Sequence, residues 1–119
     1  MGEVEGMTVN DRKRIDNIIK EYLLVDIRIK ILKAKIKHSE YNNCKSASIR
    51  YNDKINELEK FRGIIQSNVK SEYLENMEIF KMDLDEAMQV LSVSKSTITK
   101  LKAKIRNEFI KVIDLVEAD

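Results

Sequence analysis

Proline and tryptophan are absent from this chain, glycine occurs only three times, and there is one cysteine and one histidine. Each shortage excludes something. Without proline and with little glycine, the breakers that punctuate sheets and tight turns are scarce, so long uninterrupted helices are expected. Cys44 alone cannot form a disulfide within the chain, and with His38 as its only histidine no His/Cys metal cluster can be assembled. Apolar residues never run long enough to span a bilayer, and Met1 to Gly6 lacks the basic start and apolar core of a secretion signal. Gly6 stands where a myristoylation motif needs Ser or Thr. No Asp/Glu cluster joins a histidine, cysteine or glycine-rich loop in a way that suggests acid–base, nucleophilic or phosphoryl-transfer chemistry. The expectation is a cytoplasmic protein that is not an enzyme and uses no metal, no cofactor and no membrane.

What is present is charge and apolar side chains, 35% and 43% of 119 residues. That balance suits amphipathic helices, and the fold class expected is all-α: a long antiparallel helical hairpin followed by a small helix-turn-helix domain with an extended last helix. Residues 1–9 read as a disordered start or cloning remnant, with Met7 a candidate native initiator. Residues 10–70 form the hairpin. Thr8 or Asn10 caps its first helix, with Asp11 in the first turn. Ile15, Ile18, Tyr22, Val25, Ile29, Leu32 and Ile36 then alternate at spacings of three and four, while Ile19, Leu23, Leu24, Ile27 and Ile31 widen the apolar face beyond a two-stranded seam. Residues 38–48 lose that periodicity, collect Ser39, Asn42, Asn43, Ser46 and Ser48, and read as the reversing loop. A second helix from about Ile49 to Val69 presents Tyr51, Ile55, Leu58, Phe61, Ile65 and Val69. The broad face of the first helix then needs a further neighbour, and a homodimer is expected.

Residues 71–119 form the helix-turn-helix domain. Tyr73, Leu74, Met77 and Phe80 predict a short packing helix. Asp83 is a good N-cap, with Glu86 three residues on, and Leu84, Ala87, Met88 and Leu91 follow at helical spacing. Ser92-Val93-Ser94 predicts a tight turn, and Ser94 a second cap. Ser92 stands where such motifs usually place glycine, and Met88 where they usually place a small residue. The next helix turns Ile98, Leu101 and Ile105 inward, leaving Lys95, Ser96, Thr97, Thr99, Lys100 and Lys104 as candidate DNA-binding residues: short polar groups for base edges, flanked by cations for phosphates. Phe109, Val112, Ile113 and Val116 prolong the stripe, and the tail is acidic.

The net charge is only +2, but it is unevenly spread. Residues 71–93 carry six acidic side chains and one lysine; residues 94–111 carry six basic ones and one glutamate. A local basic stretch on a near-neutral chain provides phosphate affinity without general stickiness, although a solvated helix face has the same composition. The basic second half of the first helix, with Arg28, Lys30, Lys33, Lys35 and Lys37, is a second such stretch and more simply a solvated face.

A helical N-terminal half followed by VLSVSKSTITKLKAKIRNEF resembles the small phage-encoded transcriptional regulators of the ArpU-like and RinA-like group, whose C-terminal part is similar to region four of sigma factors. The resemblance covers most of the chain in layout and about residues 74–109 in motif. It implies that the helix Ser94–Arg106 enters the major groove of double-stranded DNA, that the protein regulates phage or mobile-element genes, and that RNA polymerase or another host protein is a further partner. Two other readings stay open: a non-catalytic helical adaptor that oligomerises or grips a host protein, and a phage packaging-initiation subunit. Packaging subunits usually carry the DNA-binding part first, the reverse of the order here.

Overall fold

The computed structural model describes residues 8–41, 43 and 45–117; the opening segment with Met7, the loop residues Asn42 and Cys44, and the last two residues lie outside it. Among the described residues there are five α-helices, one 3-10 turn and no strand. The protein is all-α, and no helix is long and apolar enough to cross a membrane.

Helix α1 spans Val9–Tyr41 and α2 spans Lys45–Asn68. Thr8, not Asn10, caps α1: its hydroxyl accepts from the Asp11 N–H at 3.0 Å, while the Asp11 carboxylate accepts from the Thr8 N–H at 3.4 Å. Two end donors are satisfied reciprocally, as in a capping box. The two helices are antiparallel, since Tyr22 meets Gln66, Asp26 meets Arg62 and Lys35 meets Tyr51. The loop expected over residues 38–48 shrinks to the three residues between Tyr41 and Lys45, where Asn43 adopts a left-handed φ of 57°. Packing overrides local propensity there: Ser39 and Ala47 are both buried, so helix is retained through serines that would favour a turn in isolation.

The expected short helix over residues 73–80 is also divided. Helix α3 covers Ser71–Glu75 and stops at Asn76, whose side-chain amide donates to the Glu72 carbonyl at 2.8 Å. A 3-10 turn, Met77–Lys81, follows. Met77 and Ile79 are both buried, and residues two apart do not share a face of an α-helix, so the tighter turn is what brings both into the core. Helix α4 spans Leu84–Leu91 and α5 spans Lys95–Glu117.

One core joins the two parts of the chain. Ile15, Ile18 and Ile19 of α1 and Ile65 of α2 pack with Met77, Ile79, Ile105, Phe109, Val112 and Ile113. A smaller cluster of Val25, Ile29 and Ile55 holds the middle of the hairpin. Burying side chains of this size stabilises the fold by about 1.5–3 kcal/mol each, and the shared core therefore docks α5 against the base of the hairpin. Arg106 on α5 adds a hydrogen-bonded ion pair to Asp16 on α1 at 2.8 Å.

Candidate nucleic-acid interface

The turn between α4 and α5 is built by local hydrogen bonds. Asp83 caps α4, its carboxylate accepting from the Glu86 N–H at 2.8 Å. At the other end Ser92 has φ 54° and ψ 46°; its N–H donates to the Gln89 carbonyl, and the Val93 N–H donates to the Met88 carbonyl at 3.2 Å. This is a Schellman arrangement with serine in the left-handed position usually held by glycine. Ala87 is fully buried on the inner side of α4, while Met88 is only partly buried beside it. A Cβ in the left-handed region costs roughly 1–2 kcal/mol, so Ser92→Gly should stabilise the protein by about 0.5–1 kcal/mol once the greater freedom of the unfolded glycine is deducted. A raised urea midpoint with unchanged slope is the expected result; a midpoint at or below the parent's would show that the turn stores no such strain.

Ser94 then caps α5. Its hydroxyl oxygen accepts from the Thr97 N–H at 3.3 Å and lies 3.1 Å from the Thr97 hydroxyl and 3.2 Å from the Ser96 hydroxyl. The three hydroxyls form an exposed polar group at the positive end of a long helix, a position that favours anions. The Thr99 hydroxyl instead donates back to the Lys95 carbonyl at 3.1 Å.

All six sequence-derived candidates, Lys95, Ser96, Thr97, Thr99, Lys100 and Lys104, are exposed, but helical geometry does not put them on one face. Ile98, Ile105, Phe109 and Val112 are buried, which turns Ser96, Lys100 and Lys104 to the opposite side, with Thr97 at its margin. Thr99 lies on a flank of that face, whereas Lys95 sits nearer the buried stripe, on the side of Lys102, and is exposed as the first residue of the helix. The outward row continues through Asn107, three residues after Lys104, and Lys111, four further on, a spacing visible in the sequence although neither residue is among the six candidates.

The six cations of residues 94–111 divide into two sets. Lys102 and Arg106 turn toward Phe80, their charged groups 5.6 and 5.3 Å from the ring centre, and Arg106 is also held by Asp16. Lys111 pairs with Glu108 at 3.0 Å. Lys95, Lys100 and Lys104 form no ion pair among the described residues. These three are therefore the charges available to an incoming phosphate. Asp85 and Glu86 are exposed in the first turn of α4 and repel phosphate there, so within this helix pair the basic approach is confined to α5.

Among the described residues no group of three or more His, Cys, Asp or Glu side chains is placed to hold a metal ion. No known protein family, curated protein or solved structure matches the chain.

Proposed function

We propose that this protein is a dimeric, sequence-specific DNA-binding transcriptional regulator that reads duplex DNA with the N-terminal half of α5. The observation that carries this reading is the set of three lysines, Lys95, Lys100 and Lys104, with no ion pair among the described residues, near the exposed hydroxyls of Ser96 and Thr97 at the start of a helix presented by a tight turn. Lysines at that position neutralise phosphates and release counterions, which provides affinity; Ser96 and Thr97 reach base edges, which provides selectivity. The resemblance to the phage regulators of the ArpU-like and RinA-like group points the same way and supplies the biological setting, control of phage or mobile-element genes, with RNA polymerase or another host protein as a further contact. A two-fold dimer reads half-sites about 34 Å apart or a multiple of that spacing.

The test is fluorescence anisotropy with the purified protein and duplex fragments from around its own gene at two salt concentrations. Tight binding to one fragment that survives moderate salt is expected. Weak, equal binding to every fragment that vanishes with salt would leave only the generic phosphate term and sink the regulator reading. The half-exposed Ile27 and Ile31 on α1 favour the second reading, a helical adaptor, in that event.

A further inference from the structure

The expected broad apolar face of α1 is only partly covered. Its inner stripe packs against α2 and α5, and Ile19 is buried at the junction. On the far side, Ile27 remains 55% exposed and Ile31 50%, with Leu24 half-buried and Ala34 exposed. A single exposed isoleucine needs no explanation. Leu24, Ile27, Ile31 and Ala34, however, follow one another at spacings of three, four and three, which is a heptad seam of roughly 15 Å running along the back of the hairpin.

We propose that this seam joins two copies of the chain, with the two α1 helices antiparallel and the two-fold axis between Ile27 and Ile31. This takes the dimer, and not the DNA, from the function proposed above. Two independent features select the same register. The first is size. About that axis Leu24 of one copy faces Ala34 of the other and Ile27 faces Ile31, so the small alanine is always met by a large side chain and no layer is empty. A parallel pair would set Ala34 against Ala34 and leave a hole.

The second feature is charge. The seam is flanked by Glu21, Arg28, Lys30, Lys35 and Lys37. Parallel association in register would lay the basic half of α1 along its own copy, lysine against lysine. The antiparallel register moves Lys35 and Lys37 away from their counterparts and onto residues 21–23 of the partner, bringing Lys35 toward the Glu21 that each chain already pairs with its own Arg28, twice by symmetry. Arg28 and Lys30, one residue to either side of the axis, each meet their own copies there, which weakens the pair without changing its direction. The apolar strip is short against the roughly 800 Å² per partner of a standard interface, so the dimer should dissociate on dilution through the micromolar range.

Light scattering above that range should give twice the 13.9 kDa chain mass, falling toward the single-chain mass on dilution through it. Ile27→Glu combined with Ile31→Glu should restore the single-chain mass; both positions are at least half exposed, and unchanged helical circular dichroism shows that the hairpin persists. Orientation is tested in a Cys44→Ser background. Under mild oxidation, a mixture of Leu24→Cys and Ala34→Cys proteins should give a disulfide-linked dimer, and neither alone should. A monomeric parent, an unchanged mass in the double glutamate variant, or efficient cross-linking of either cysteine variant with itself would overturn the proposal. DNA binding measured on the same samples separates the two ideas: a monomer that still selects one fragment overturns the seam and spares the reader helix, whereas an antiparallel dimer that binds no DNA supports the seam alone.

Discussion

Replacing Lys100 and Lys104 together by glutamate should lower affinity for the preferred duplex on the order of 100-fold or more, taking each lost contact at about 1–3 kcal/mol. The slope of log affinity against log salt should become shallower by about 0.9 for each phosphate contact removed. Thermal unfolding should stay within about 0.5 kcal/mol of the parent, because both side chains are exposed and neither forms an ion pair among the described residues. Thr97 is best left intact in this variant, since its hydroxyl belongs to the Ser94 cap and its loss would mix a capping effect with a binding effect. Arg106→Ala is the matched control. Arg106 is basic and in the same helix, but it is engaged with Asp16 and the Phe80 ring. Its removal should lower the unfolding midpoint while leaving DNA affinity nearly unchanged. If Arg106→Ala weakened DNA binding as much as the double reversal did, the division of the cations into outward and inward sets would be wrong.

The second large effect is expected at Phe109. Its side chain is fully buried where α5 meets α1, α2 and the 3-10 turn. Phe109→Ala removes that contact and leaves a cavity, at a cost of about 3–5 kcal/mol. Set against a typical total stability of roughly 5–15 kcal/mol, this should lower the melting temperature on the order of 10–20 °C. Helical signal should be lost from both parts of the chain in one cooperative step, because Ile15, Ile19 and Ile65 of the hairpin share the core with Ile105, Phe109 and Val112 of α5. Circular dichroism on heating checks both the shift and its shape. A two-step melt in which the hairpin survives would show that the shared core does not couple the halves.

Much of the fold is legible in the order of residues alone, and the reason is the range of the forces involved. The caps at Asp83 and Ser94 and the turn at Ser92 depend on atoms three or four residues apart, so side-chain chemistry alone locates them. The apolar stripes of α1, α2 and α5 follow from helical periodicity. What failed did so where distant contacts decide. Ser39 and Ala47 stay helical because they are buried between α1 and α2, although their neighbourhood reads as a loop. Asn76 ends α3 and hands over to a 3-10 turn because Met77 and Ile79 both have places in a core that α1 and α5 complete.

The candidate interface divides in the same way. That α5 begins with a capped, hydroxyl-rich and basic turn was set by the order of residues alone, since each is placed by helix geometry relative to the apolar stripe. Which cations remain outward was decided only by the tertiary structure. Arg106 and Lys102 face Phe80, and Arg106 meets Asp16 across 90 positions of chain, a proximity created by the common core and invisible to any local pattern. The same holds for α1, where heptad spacing announces two apolar faces, but only the packing of α2 and α5 determines that Ile15, Ile18 and Ile19 are consumed within the molecule while Ile27 and Ile31 are left outside it.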